Sequence, residues 1–301
     1  MEIIVIIPCY NEEITIGKVV KDFKKELPEA KIYVVDNNSK DRTADEALAA
    51  GAIIKRECRQ GKGYVVQKVL SEIIADIYVL VDGDDTYNAS DVHKMIDPVV
   101  NGDADITVAL RFDDYQNNAF RRLHLTGNHL ITYAVNFVYG SNLKDVLSGF
   151  RAFNARFAKS IPIISRGFDV ETEMTLQGLR HGFVFKEMTS SYRRRVDGSR
   201  SKLNTYRDGL KILVGIISIF ANYLPLKFFG ILAGFFFLFS ITTGSIVIYE
   251  YVKYSYIYRI PTAILAVGAM LMSGLCMFLG IVLNMISRKT KDIEYLLSVR
   301  R

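Results

Sequence analysis

Val79-Leu80-Val81-Asp82-Gly83-Asp84-Asp85-Thr86-Tyr87 is the stretch on which the reading of this chain turns. Tyr78 and the apolar residues after it form a strand signature, stopped abruptly by acids and a glycine. Three carboxylates at one strand end repel one another, and a chain tolerates that where a cation neutralises them. Asp82 and Asp84 are spaced to reach one hard, oxygen-seeking ion of the kind that sits on substrate phosphates. Gly83 would let a ligand approach the backbone. A solvated acidic turn is the plain alternative for an isolated D-x-D, so the surroundings decide. An EF-hand loop beginning at Asp82 fails, because its sixth position is Tyr87 and its twelfth is His93.

Upstream, Glu-Ile-Ile-Val-Ile-Ile at 2–7 reads as a buried strand that ends in Pro8-Cys9-Tyr10-Asn11-Glu12-Glu13. Ile16, Val19, Val20, Phe23 and Leu27 then recur at helical spacing. A second strand, Ile32 to Val35, ends in Asp36-Asn37-Asn38-Ser39, and a helix, a short strand at Ala52 to Ile54 and a helix opened by Gln60-Gly61-Lys62-Gly63 follow. Downstream come a helix near Asp91 to Val100, a strand at Ile106 to Leu110, helices at 124–139 and 169–181, and a strand near 183–188. Alternating strands and helices imply an α/β fold with a mostly parallel, Rossmann-like sheet. Ligands gather at the carboxyl ends of such strands, where the polar loops 8–13, 36–41 and 82–87 fall.

From Leu203 the character changes. Arg207, Lys211, Gly215, Ser218 and Asn222 form a narrow polar stripe on an otherwise apolar helix, which suits a membrane surface. Phe228 to Tyr249 is uncharged over 22 residues, and Ile260 to Ser287 over 28, each long enough to span a bilayer. The tyrosines at 249, 251, 254, 256 and 258 sit between the runs as interface aromatics. The organisation expected is a cytosolic catalytic domain at 1–202, an amphipathic interface helix at 203–226, a two-helix transmembrane hairpin at 227–287 and a basic tail at 288–301.

The net charge of +6 is concentrated beside these apolar runs: Arg193 to Lys211 carries a basic surplus of five and Arg288 to Arg301 a surplus of three. That placement selects anionic lipid or phosphate over nucleic acid and puts both termini on the cytoplasmic side. Cys9, Cys58 and Cys276 show no metal-ligand spacing and read as reduced. Met1 to Pro8 lacks the flanks of a signal peptide.

Other constellations have two readings each. Asp36-Asn37-Asn38-Ser39 offers groups for a nucleobase or ribose, or is an Asx turn. Gly61-Lys62-Gly63 is no Walker A loop, since Arg56 stands where the first Gly belongs. Arg111 and Arg151 are candidate anion binders, or surface charges. Asp169, Glu171 and Glu173 look like a solvated helix start, and the four histidines show no ligand spacing.

Taken in order, Ile-Ile-Pro-Cys-Tyr-Asn-Glu-Glu, Val-Val-Asp-Asn-Asn-Ser-Lys-Asp-Arg-Thr, Gly-Lys-Gly, Val-Asp-Gly-Asp-Asp-Thr-Tyr, Ser-Gly-Phe-Arg-Ala-Phe and Gly-Ser-Arg-Ser-Lys-Leu resemble family 2 glycosyltransferases of the GT-A fold, in particular the polyprenyl-phosphate (dolichyl-phosphate) sugar synthases. The resemblance covers residues 3 to about 211. It implies that Pro8, Tyr10, Asn11, Glu12, Asp36 and Asn38 line a nucleotide-sugar pocket, with Lys62 and Gly83 beside it. Asp82 and Asp84 would hold Mg²⁺ or Mn²⁺ on the donor diphosphate. Ser148 and Arg151, with Arg111, Arg195 and Lys202, would hold the lipid phosphate. Mannose synthases of that group carry Gln where this chain has Thr86, so a UDP-sugar such as UDP-glucose or UDP-N-acetylglucosamine is expected in place of GDP-mannose.

An acceptor phosphate monoester, with a second pKa near about 6, is already an anionic nucleophile. No strong base is needed, and Asp145 is the nearest candidate if one acts. In-line attack would invert the anomeric centre. A processive polysaccharide synthase is disfavoured because its Q-x-x-R-W motif is missing and the chain has no Trp. A lipid-linked-sugar flippase is disfavoured by spans without internal charge. A membrane-anchored scaffold with a dead transferase domain remains the rival from another class, and a homo-oligomer is compatible with all of these.

Overall fold

A computed structural model of the chain describes residues 1–112, 119–165, 170–193, 214, 217, 218 and 220–299. It divides into two units, Met1–Gly209 and Leu210–Arg301.

The first unit alternates strand and helix: β1 (Ile3–Cys9), α1 (Ile16–Glu26), β2 (Lys31–Asp36), α2 (Thr43–Ala49), β3 (Ile53–Arg56), α3 (Lys62–Glu72) and β4 (Ile77–Leu80). A 3-10 turn (Ala89–Asp91) leads into α4 (Val92–Val100). Then come β5 (Ile106–Phe112), α5 (Ala119–Tyr139), β6 (Arg151–Asn154), α6 (Ala155–Ser160), α7 (Val170–Arg180) and β7 (Phe185–Ser191). One sheet of seven strands results, in the order β3-β2-β1-β4-β6-β5-β7. Among the described strands only β6 runs antiparallel to its neighbours, β4 and β5. The sequence reading missed it, because four residues are too few for a periodic signal.

Period-two alternation builds the core. Val5, Ile7, Val79 and Val81 face one side of the sheet and pack with Val19, Val20 and Phe23 of α1 and Val92, Met95 and Ile96 of α4. Ile4, Ile6, Tyr78 and Leu80 face the other side and meet Val65, Val66 and Val69 of α3, Phe157 of α6 and Val170 and Met174 of α7. Burial of each such side chain contributes roughly 1.5–3 kcal/mol, which outweighs a missing N-cap of about 1 kcal/mol. α1 shows the consequence: Thr15 makes no cap bond and instead donates its hydroxyl to the Gly83 carbonyl at 2.7 Å.

The topology positions the site. After β1 the chain steps outward through β2 and β3, then returns to place β4 on the other flank of β1. The crevice beyond the carboxyl ends of β1 and β4 is therefore the switch point where such sheets bind ligands. β6 begins at Arg151, paired with Leu80, so the loop before it arrives at the same edge.

In the second unit, α8 (Pro225–Tyr254) and α9 (Ile260–Val299) are joined by a short turn in which Ser255 adopts a left-handed conformation. Segments Pro225–Tyr254 and Ile260–Thr290 are long and apolar enough to cross a membrane. The first helix runs through Glu250 to Tyr254, residues expected in the connecting loop, and Arg259 pairs with Glu250 at 2.9 Å. Small residues let the two helices close on each other. Ser240 donates to the Ala266 carbonyl at 2.7 Å and Ser273 to that of Ala233 at 2.8 Å. Most of the expected interface helix at 203–226 lies outside the described residues; Asn222 donates to Ser218 at 3.0 Å, along the polar stripe.

Candidate active site

The three carboxylates at the end of β4 are separated by giving each its own partner. Asp85, in a left-handed conformation, turns outward to Lys18 at 2.7 Å. Asp84 is 4% exposed and accepts from the Thr86 hydroxyl at 2.6 Å and the Thr86 amide at 3.3 Å. Asp82 keeps a third of its side chain exposed and accepts from the Lys62 ammonium, which also donates to Glu171 of α7. Burial alone would lower the Lys62 pKa, but Asp82 and Glu171 outweigh it and the net shift is upward. Lys62 is thus a buried, paired cation and not an open phosphate ligand. Glu171, expected on a solvated helix start, is 4% exposed.

The glycines of this region are set by close approach. A Cβ on Gly83 would lie 2.7 Å from the Cys9 sulfur, so packing against β1, and not access for a ligand, accounts for this residue. A Cβ on Gly149 would collide with the Asp82 carboxylate. The loop before β6 therefore packs on the first acid of the D-x-D pair.

Around the crevice the expected nucleotide residues come together. Burial, then the charges of Glu12, Asp36, Asp82 and Asp84, push the Cys9 thiol well above its ordinary pKa. That sulfur marks the point where the loops after β1, β2 and β4 converge. Pro8 pairs with Val35 and Cys9 with Asp36 at the strand ends. The Asn11 amide donates to Ser39 at 3.0 Å and its side chain accepts from Lys40 at 2.8 Å. Asn11 and Asn38 both take left-handed backbone conformations, which Asn tolerates better than most residues. Asp36 accepts from the Ser39 amide at 3.0 Å, the Asx-turn contact. Asn37, buried, donates to the carbonyls of Glu57 and Arg59 and accepts from the Gly61 amide at 2.7 Å. This residue carries the loop that delivers Lys62. Glu12 and Tyr10 sit half-buried on the crevice side of β1.

On the other flank three expectations need correction. Arg151 is fully buried and donates to the Ser148 carbonyl at 2.9 Å, the Val146 carbonyl at 2.7 Å and the Thr175 hydroxyl at 3.0 Å. Burial lowers its pKa to about 10. It fastens the 146–148 loop to α7 and cannot reach an acceptor phosphate from there. Ser148 is also fully buried, its hydroxyl 3.2 Å from that of Tyr87. Asp145 engages Arg111 through both oxygens, at 2.7 and 2.9 Å, and accepts from the Leu147 amide at 3.1 Å. It positions Arg111 and is not a disengaged base.

Arg111, three-quarters buried, lies 5.9 Å from the Tyr192 ring. Tyr192 in turn bridges to Tyr87 and packs edge-on against its ring at 5.2 Å, which brings the arginine beside the loop that carries the acids. Tyr87 links both sides, since its hydroxyl meets Ser148 and accepts from the Gly149 amide at 3.0 Å. Sequence reasoning missed Tyr87, Glu171 and Tyr192 as site residues; only Tyr87 had a signal, its place in the decisive stretch. Arg195 and Lys202 lie outside the described residues, as does Asp169.

The acids fit the expected metal. Asp82 and Asp84 offer only carboxylate oxygen, and Mg²⁺ or Mn²⁺ binds through one or two carboxylates together with substrate phosphates. Among the described residues no group of three or more His, Cys, Asp or Glu forms an all-protein cage.

Comparison with known proteins agrees with this architecture. A family model described as glycosyl transferase family 2 matches residues 4–161. Glycosyltransferase AglJ of Haloferax volcanii is 34% identical over 268 residues, covering 88% of this chain and 86% of that protein. A dolichyl-phosphate hexose transferase of the same organism is 25% identical over 218 residues, covering 72% of this chain and 93% of its own. The crystal structure of Mycobacterium tuberculosis glucosyl-3-phosphoglycerate synthase with Mg²⁺ and uridine diphosphate matches in fold, with TM-score 0.59 and 21% identity over 71% of this chain and 79% of that one.

Proposed function

Because the chain belongs to glycosyl transferase family 2 and is a glycosyltransferase related to dolichyl-phosphate hexose transferases, we propose that it transfers one sugar, with inversion, from a nucleotide-sugar to a polyprenyl or dolichyl phosphate. The observation that carries this reading is the meeting of two unlike half-sites. The Asp82–Asp84 pair stands at the sheet's switch point, and Arg111, locked by Asp145, stands at the carboxyl end of β5 on the same sheet edge, against Tyr192, whose ring packs on Tyr87 of the acidic loop.

The residues divide the work. The loops at 8–12 and 36–38 bind the nucleoside. Asp82 and Asp84 would hold Mg²⁺ or Mn²⁺, which when bound offsets charge on the leaving diphosphate. Arg111, with Arg195 and Lys202, holds the acceptor phosphate without protonating it, so its oxygen attacks as an anion. Positioning and charge neutralisation supply the rate. No proton has to leave the nucleophile at neutral pH, which agrees with Asp145 being engaged by Arg111. Thr86, standing where the mannose synthases of the resembling group carry Gln, favours a UDP-sugar, glucose or N-acetylglucosamine, over GDP-mannose. The apolar helices α8 and α9 anchor the enzyme in a membrane. Basic residues flanking them favour a cytosolic catalytic unit with both termini on that side.

A panel of UDP- and GDP-sugars tests this, with purified protein in detergent, Mn²⁺ or Mg²⁺, and nucleoside diphosphate release followed with and without polyprenyl phosphate. Release from one UDP-sugar that requires both lipid phosphate and metal is expected. Release from GDP-mannose alone would make the protein a mannose synthase. Nucleotide binding with no turnover of any donor would favour a membrane-anchored scaffold.

A further inference from the structure

Lys62 and Glu171 stand out because nothing in the proposed chemistry uses them, yet both are buried, and Lys62 bridges Glu171 to the first acid of the D-x-D pair. Lys62 is 8% exposed and Glu171 4% exposed. The ammonium of Lys62 donates to Asp82 and to Glu171 together. Glu171 belongs to the first turn of α7, whose next turn supplies Thr175; the Thr175 hydroxyl donates to the Glu171 carbonyl at 2.9 Å and accepts from Arg151. A buried lysine and glutamate far apart in sequence are costly to bring together unless they are paired. Here the pair is aimed at one end onto Asp82.

We propose that Lys62 is an internal counter-cation that occupies Asp82 before the divalent ion loads, and that Glu171 is the positioning residue that lets Lys62 yield that carboxylate without leaving its seat. The inference rests on the reading of Asp82 and Asp84 as the metal site. An ammonium and a divalent ion compete for the same oxygens, and competition for one site is reciprocal. With Glu171 in contact, Lys62 keeps a full carboxylate partner once the ion takes Asp82. Without Glu171 the lysine would hold Asp82 alone and resist loading. Lys62 also keeps Asp82 oriented against Gly149 while the site is empty of substrate, so the acid is already in place when the donor arrives.

The two residues should therefore move metal affinity in opposite directions, which a merely structural role would not do. Full-length protein in detergent is titrated with Mn²⁺, alone and with UDP or GDP, and free Mn²⁺ is read by electron paramagnetic resonance. Glu171→Gln is expected to weaken Mn²⁺ binding by about tenfold, the order of effect of one charge at contact distance. Lys62→Met is expected to bind Mn²⁺ at least as tightly as the wild type while losing sugar transfer. The double variant, which removes both buried charges, is expected to return close to wild-type Mn²⁺ affinity. It also serves if Lys62→Met fails to fold, as judged by circular dichroism and thermal unfolding. Equal weakening in both single variants, no change in either, or a double variant as weak as Glu171→Gln would overturn the inference while leaving the metal reading intact. Wild-type protein that binds no more Mn²⁺ than Asp84→Ala, with either nucleotide, would overturn the metal reading and this inference with it.

Discussion

Gly149 shows how narrowly the site is set. It carries no chemistry, yet its Cα hydrogens face the Asp82 carboxylate so closely that a methyl group has no room. Gly149→Ala should displace Asp82 and lower kcat by about a hundredfold, the effect of a misplacement near 1 Å. The Tyr87 ring packing on Phe150 should survive, so the thermal midpoint should move little. Steady-state kinetics beside a melting curve check both. Glu57 gives a pH signature. Its carboxylate accepts from the Arg59 side chain and amide, and the Arg59 contact, partly opposed by burial, lowers its pKa from 4.5 to about 2. A depressed folded-state pKa contributes stability above the unfolded value, and that stability is lost as pH falls through the folded value. Glu57→Gln should therefore be less stable than wild type at pH 6, and the gap in thermal midpoint should close between about pH 4.5 and 2. A gap that is constant with pH would show that the Glu57–Arg59 ion pair does not stabilise the fold.

Among the elements, β6 and the buried charge at the start of α7 carry most of what the sequence did not reveal. Strands β1, β2 and β4 were legible because they are apolar runs cut by polar loops, and α1 because its apolar residues keep helical spacing. Asp82 and Asp84 were legible because their position after a buried strand makes them costly without a purpose. Arg151, Lys62 and Glu171 were not legible as buried groups. Charged residues almost never bury fully unless paired, and the partners lie 24 and 109 residues away for Arg151–Thr175 and Lys62–Glu171. A lone Arg in Ser148-Gly149-Phe150-Arg151 therefore looks like a ligand when it is a strut. In the hairpin, a Cβ on Gly280 would come within 2.9 Å of the Phe229 Cβ. Gly280→Leu should force α8 and α9 apart, and overpacking of this kind costs roughly 1–3 kcal/mol. A lower melting temperature in detergent, with unchanged nucleotide affinity of the catalytic unit, is the expected result; an unchanged melt would show that the helices do not depend on this contact.

Over the whole chain, the division at Gly209 and Leu210 separates an α/β unit from one that holds the two apolar helices. The proposed chemistry asks for that division, because its donor would be a charged, soluble nucleotide and its acceptor would carry the phosphate on a lipid. On this proposal the Asp82–Asp84 site passes one sugar to that phosphate. Mass spectrometry of the organic phase, after incubation with polyprenyl phosphate, metal and the donor that turns over, tests it most directly. A lipid heavier by one sugar residue is expected in the wild type and none with Asp84→Ala. Turnover of the donor with no sugar-bearing lipid, or the same product from Asp84→Ala, would contradict it.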